Sequence, residues 1–406
     1  MEWFDFAVYG YFVAVIGAEF FPTGDPTTET LSSFAVFAVG FLARPLGALI
    51  LGPIGDRYGR KSVLVITVLG MGVTTALIGL TPSYDKVGLV APVLIVALRC
   101  VQGMMVGGEW SAAATYLGES APTTKRGLHA SLVTATAGLA FLAGTILATL
   151  INTILSDEDV ASWGWRIPFV ASLVMAVVAV FIRQKLDDTP VYEGLVRKRE
   201  NNTLQPVPLK VKGKAFVLTL AFSALFGVSL YYFITYANNH LSGVVGMPRV
   251  SALLACGIAL VVYVIVNPLF GALSDRIGRR PIVLSAALGL SILSIPIFVA
   301  MNTGVFAWVL LSLIVLGLLV SMTAVMNVVL LVEVFPASIR SAGSALGYNV
   351  AFALLAGPGP LVGAGLIAVT GNNVAPAFYL AGVSLVCLTV LWFMLPETRS
   401  TDITKG

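Results

Sequence analysis

Apolar positions along this chain neither alternate nor recur as a single helical stripe. They run in nearly unbroken blocks of about 18 to 25 residues, cut by short clusters of Pro, Gly and polar residues. As a helix rising about 1.5 Å per residue, such a block crosses the ~30 Å hydrocarbon core of a bilayer. Twelve blocks can be cut, near 1–21, 31–52, 62–80, 89–118, 128–154, 165–185, 214–236, 250–272, 282–301, 306–333, 342–369 and 376–395. A transmembrane barrel would show alternating segments of about ten residues instead. The pattern predicts an all-α membrane protein with twelve transmembrane helices.

Composition agrees. Of 406 residues, 58% are hydrophobic and 11% charged, against about 25% charged in a soluble domain, so a soluble enzyme is excluded. Cys100, Cys256 and Cys387 lie inside apolar blocks without ligand-like spacing, predicting neither a disulfide nor a metal site. No nucleophile–base or cofactor-binding constellation is present, so no enzymatic activity and no cofactor are expected. The net charge of +4 comes from short loops, which argues against nucleic acid as a partner. No basic segment precedes the first block, so no cleaved leader is expected.

Those loop charges orient the chain. Of 24 Lys and Arg, 19 fall in the loops that follow even-numbered blocks or in the tail. The positive-inside rule makes that face cytoplasmic, places the protein in the cell membrane, and puts both termini in the cytoplasm. Counting back from Phe21-Pro22 leaves Asp5 about 24 Å deep, so residues upstream of Met1 are expected.

The chain also repeats itself. Gly52-Pro53-Ile54-Gly55-Asp56-Arg57-Tyr58-Gly59-Arg60-Lys61 is echoed by Gly271-Ala272-Leu273-Ser274-Asp275-Arg276-Ile277-Gly278-Arg279-Arg280, and Glu119-x-x-Pro122-x-x-x-Arg126 by Glu333-x-x-Pro336-x-x-x-Arg340. Asp188-Thr189 and Glu397-Thr398 form a third echo. Three echoes in one order predict two pseudo-symmetric six-helix bundles, 1–185 and 214–406, joined by a cytoplasmic linker over 186–213. Asp56 and Asp275 each end a span, where the positive N-terminus of a helix from the other half can bind a carboxylate. With Arg57, Arg60, Glu119, Arg126, Arg276, Glu333 and Arg340 they form an expected cytoplasmic gate that breaks as the halves rock apart; plain positive-inside anchoring is the alternative.

Ionisable residues inside spans are costly unless they line a cavity or find a partner. Arg44 lies about 20 Å along the second block and Arg99 about 15 Å along the fourth, out of reach of water along a helix end. Glu2 and Asp5 share a face of the first block, with Tyr9 one turn on. A carboxylate opposite Arg99 can exchange a proton as access alternates, Asp5 being the first candidate and Glu109 the second. Arg44 is assigned either to a substrate carboxylate or to pairing with Glu2 or Asp5. Tyr231, Tyr232, Asn327, Tyr348 and Asn349 are expected to line the cavity from the second half, with Tyr236 in the interfacial belt. Trp3, Tyr9, Trp110 and Tyr232 are a candidate box for a quaternary ammonium. His129 and His240 fall near opposite faces and give no buried proton relay.

The doubled Gly-x-x-x-Asp-Arg-x-Gly-Arg-Lys/Arg segment resembles the signature loop of the major facilitator superfamily, over the whole chain. Finer stretches resemble its metabolite:proton symporter family: Glu2-Trp3-Phe4-Asp5-Phe6, Arg44-Pro45-Leu46-Gly47, Gln102-Gly103 with Gly107-Gly108-Glu109, Trp163-Gly164-Trp165-Arg166-Ile167-Pro168-Phe169, and Phe335-Pro336 through Arg340. That family includes proline/betaine, 2-oxoglutarate, citrate and shikimate carriers. The resemblance implies alternating-access symport driven by protons, with Arg99 in the coupling, by one chain working alone. No residue excludes sodium. The fifth block lacks the Gly-Pro motif of the superfamily's antiporters, which favours import. The expected solute is a small carboxylate-bearing metabolite, with two arginines favouring an anionic acid and a zwitterion such as proline or betaine as the alternative. The match to proline/betaine carriers with an extended coiled coil stops at the last span, so osmosensing through such a tail is not expected.

Overall fold

The computed structural model describes residues 2–47, 49–51, 60–107, 109–183 and 208–403; at 60–64, 109 and 119, among others, it describes the backbone only. Among the described residues the chain is helical throughout, with no strand. Among the described residues nine helices are long and apolar enough to cross a membrane: Pro26–Leu51, Thr123–Ile154, Gly164–Phe181, Leu209–Val244, Arg249–Ile277, Arg279–Met301, Phe306–Glu333, Ala342–Thr370 and Ala375–Met394. The bent pair Glu2–Tyr11 and Val13–Phe20 and the shorter apolar helices Val65–Leu80 and Val90–Val106 fill the first, third and fourth places in the predicted order of twelve.

Local chemistry accounts for several boundaries. Asp25 caps the second span by accepting from the Thr27 and Thr28 amides at 3.4 and 3.0 Å, with Pro26 opening the helix. Gly278, at φ +107°, makes the sharp turn between the eighth and ninth spans, where an L side chain would be strained. The seventh span begins at Leu209, inside the stretch expected to be linker; the rest of 186–213 up to 207 lies outside the described residues.

Two helix ends differ from expectation. The first span bends by 70° at Phe12, and the helix Val90–Val106 of the fourth ends in a turn at Gly107. In the second half, wide π-helical turns occupy Tyr232–Tyr236 and His240–Val244 in the seventh span and Phe352–Ala356 in the eleventh. Such turns favour functional places because they rotate the following side chains.

The first six spans meet the last six along a seam: fifth against eighth, second against eleventh, first against seventh and fourth against tenth. Exchanging each span for the one six places away maps this set onto itself, so the sequence echoes correspond to an internal two-fold arrangement. Side chains turned from the seam, such as Val174, Val177, Phe181, Ile292 and Phe393, are apolar and exposed, the surface lipid requires.

Candidate functional site

Two buried arginines organise the centre. Arg99, on the fourth span, donates from Nη1 to Asp5 Oδ2 at 2.9 Å and to Gln102 Oε1 at 2.5 Å. Gln102 Nε2 in turn donates to Asp5 Oδ2 at 2.7 Å and to Thr75 Oγ1 at 2.8 Å. The Tyr9 ring covers the guanidinium at 3.8 Å, while its hydroxyl donates to the Ser33 carbonyl at 3.0 Å. Every residue of this cluster belongs to the first six spans. Asp5 Oδ1 is buried without a hydrogen-bond partner among the described residues, which leaves one carboxylate oxygen free to take a proton.

Arg99 Nε and Nη2 have no partner among the described residues, and Arg44 shares that feature in a different setting. Its Nη2 donates to Glu2 Oε1 at 2.6 Å, but Nε and Nη1, both buried, have no partner among the described residues. Aromatic rings enclose it: Phe41 at 4.4 Å, Phe6 at 5.2 Å and, from the other half, Phe352 at 5.5 Å. The Tyr231 and Tyr348 hydroxyls lie against this guanidinium, outside strict hydrogen-bond geometry, and have no other partner among the described residues. Tyr348 stacks on Phe352 at 4.1 Å and on Trp110 at 6.3 Å; Trp110 stacks on Phe226 at 6.2 Å and meets Trp3 edge-on at 4.8 Å. The seam therefore holds spare guanidinium donors beside a stack of aromatic faces. Guanidinium donors suit a carboxylate and ring faces suit a cation.

At the face where even-numbered spans end, Asp275 of the eighth span reaches across the seam. Its oxygens accept from the Gly127 and Leu128 amides at 2.8 and 2.9 Å, at the N-terminus of the fifth span. Glycine is needed there, since a Cβ on Gly127 would lie 2.2 Å from Ser274 Oγ and 2.5 Å from the Gly271 carbonyl. Arg126 bridges to Glu333 at 3.4 Å, and Arg279 to Glu333 at 3.3 Å and to Asp275 at 2.8 Å. The tail closes over this network: Thr398 donates to Glu333 at 2.6 Å, and the Thr401 and Ile403 carbonyls accept from Arg126 and Arg340 at 3.0 and 2.7 Å. Glu397 accepts from the amides of Arg279, Arg280, Thr398 and Arg399. Burial pushes its carboxyl up, and these backbone donors more than offset that, leaving it below the usual carboxylate range.

The expected site residues thus separate. Asp5 and Arg99 pair, and Glu2 pairs with Arg44. Tyr9 belongs to the Arg99 cluster and not to the aromatic box. Tyr232 turns away from the seam and packs on Tyr236, Phe298 and Tyr379 in the second half, because neighbouring residues on a helix point about 100° apart. The rings that pack together at the seam are instead Trp3, Trp110, Phe226, Tyr348 and Phe352. Tyr236 is buried, not interfacial, and so is His240, whose Nε2 lies 2.8 Å from Asn302 Oδ1. Asn327 accepts from Trp110 Nε1 across the seam at 3.1 Å and donates to Ser223 at 2.9 Å. The basic partner of Asp275 is Arg279; Arg276 is exposed and offers its carbonyl to Arg399. Asp56 and Arg57 lie outside the described residues, as do the side chains of Arg60, Glu109 and Glu119. Gln102, Thr75, Ser33, Phe226, Phe352 and the tail's part in the latch were missed; Gln102, in a motif three residues from Arg99, and the Glu397-Thr398 echo carried a signal.

The comparisons agree with this architecture. The Major Facilitator Superfamily model matches residues 2–357 and 234–406. The chain is 34% identical over 417 residues to the proline/betaine transporter of Escherichia coli K12, covering all of this chain and 83% of that one. It is 35% identical to a putative proline/betaine transporter of Staphylococcus haemolyticus, covering 87% of it. It is 32% identical to the glycine betaine/proline/ectoine/pipecolic acid transporter of Dickeya dadantii, covering 82% of it. Among solved structures, a D-xylose–proton symporter superposes with a TM-score of 0.76 at 19% identity, over 99% of this chain and 96% of that one. With twelve apolar helices in an internally repeated arrangement, charges buried at the seam and a family match over its whole length, the chain is a multi-pass membrane transporter belonging to the major facilitator superfamily.

Proposed function

We propose that this transporter is a proton-coupled symporter of the cell membrane that imports a small solute with one carboxylate and one quaternary or secondary ammonium, a betaine or proline type of zwitterion. The supporting observation is Arg44: buried, held by Glu2 through one nitrogen, with Nε and Nη1 unpartnered beside aromatic faces. A solute carboxylate fills the free donors, and its cation lies over Trp110 and Tyr348 near Glu2. A dicarboxylate would need Arg99 as well, and Arg99 lies under the Tyr9 ring in a cluster drawn from the first six spans alone, its Nη1 held by Asp5 and Gln102. Relatives named as proline/betaine transporters support the same choice over an anionic acid.

Coupling runs through Asp5. Protonation at the free Oδ1 removes the charge that holds Arg99, so the cluster loosens only when a proton has arrived. The face carrying the Asp275 latch is cytoplasmic, as the loop charges require, and both termini lie there. The test is uptake of labelled betaine, proline and 2-oxoglutarate into proteoliposomes with an imposed pH or sodium gradient. Betaine or proline accumulation driven by the pH gradient is expected; accumulation of only the dicarboxylate, or drive from sodium alone, refutes the reading.

A further inference from the structure

Asn239 and Asn349 lie in the second half and each sends its side-chain amide to a carbonyl of the first. Asn239, between the two π-helical turns of the seventh span, donates from Nδ2 to the Gly10 carbonyl at 2.6 Å. Asn349, just ahead of the π-helical turn of the eleventh, donates to the Gly107 carbonyl. Gly10 and Gly107 stand at two helix ends the sequence did not announce: Gly10 in the last turn before the bend at Phe12, Gly107 as the C-cap of Val90–Val106. The last carbonyls of a helix have no partner within it and carry its negative end, so a helix end in lipid needs a donor from elsewhere. Each asparagine is also anchored on its own helix, Asn239 to the Thr235 carbonyl at 2.8 Å and Asn349 to the Ala345 carbonyl at 2.9 Å, so the amide is aimed in advance.

The two contacts lie toward opposite faces. Gly10–Asn239 is near the end of the seventh span at Val244, and Gly107–Asn349 is nearer the face of the Asp275 latch. Both are closed together, and Glu2, Asp5, Arg44 and Arg99 between them are at most 4% exposed. Close approach is built in at the first, where a Cβ on Gly10 would lie 2.7 Å from Thr235 Cγ2.

We infer that Asn239 and Asn349 are opposed amide clamps: each shuts one end of the transport path by capping a helix end of the other half, and release of one opens the path to that side alone. The assignment is independent of solute and coupling ion. It moves Asn349 from lining the cavity to positioning the fourth span.

Spin-label distances in liposomes test it. In a background with the three cysteines replaced by serine, one label pair is placed at Thr27 and Val244 and another at Thr124 and Leu209, exposed positions on opposite halves at the two faces. Asn239→Ala should raise the open fraction of the first pair about fivefold, as expected for one lost hydrogen bond, and leave the second closed. Asn349→Ala should do the reverse. Should an alanine variant fail to insert, Asn239→Ser and Asn349→Ser, polar but too short to reach, give the same reading. Both substitutions moving the same pair, or neither pair moving, overturns the proposal.

Discussion

The two central arginines each leave Nε and one Nη without a partner among the described residues, and differ in what surrounds them. Arg99 lies in a network closed within the first six spans, with its carboxylate, an amide, a hydroxyl and an aromatic lid. Arg44 has one ionic partner and a wall of rings drawn from both halves. An unpaired buried donor is costly in a membrane, and only at Arg44 do such donors lie among rings drawn from both halves, where a solute at the seam can reach them. On the proposed function the difference is a division of labour, with Asp5 and Arg99 assigned to the proton and Arg44 with the aromatic stack to the solute.

Substitutions can break or sharpen that contrast. The largest effect is expected at Arg44, where Arg44→Lys keeps the charge and loses the paired donors. It should raise the apparent KM for betaine about 10- to 100-fold, the scale of one or two hydrogen bonds to a charged group, at unchanged surface expression. An unchanged KM for every carboxylate tested would return Arg44 to pairing with Glu2 alone. Removing the ring face by Trp110→Leu should weaken betaine binding about three- to thirtyfold in binding assays and spare an uncharged analogue of the same size. Equal losses for both would mean Trp110 acts by packing alone.

At the latch, Asp275→Asn keeps the shape and loses the charge that meets the fifth-span N-terminus. Labelling of a cysteine facing the seam from the cytoplasmic side should rise about three- to tenfold, the value of one charge-assisted contact, with expression intact. Wild-type labelling and uptake would reduce the cluster to topological anchoring. The smallest change is expected from Tyr9→Phe, which keeps the ring over Arg99 and removes the contact to Ser33; transport should fall less than about fivefold, with substrate KM unchanged.

Much of this was legible because depth can be counted in a membrane helix. Asp5, Arg44 and Arg99 stood out as charges in apolar blocks, and their rise along the span placed them at one level. The Asp275 latch followed from an acid at a helix end repeated in a second copy. Helical spacing also explains one error: Asp275 and Arg279 are four apart and share a face, whereas the adjacent Arg276 points elsewhere. Tyr231 and Tyr232 repeat that lesson, since only one of two neighbours can face the seam. The helix ends at Phe12 and Gly107 were not legible. No proline marks Phe12, and the amides that cap both ends come from spans more than 200 residues away in sequence. The tail was legible only in part: the Glu397-Thr398 echo marked the residues whose side chains meet the latch, while the backbone carbonyls that meet Arg126 and Arg340 carry no sequence signal.

The division of labour is tested most directly by separating exchange from accumulation in one variant. Asp5→Asn cannot lose its proton equivalent, so in proteoliposomes it should exchange labelled for unlabelled betaine at a rate within about tenfold of wild type, while accumulation driven by a pH gradient disappears. Retained pH-driven accumulation, or loss of exchange together with accumulation in a protein that still binds betaine, would contradict the assignment of Asp5 and Arg99 to the proton.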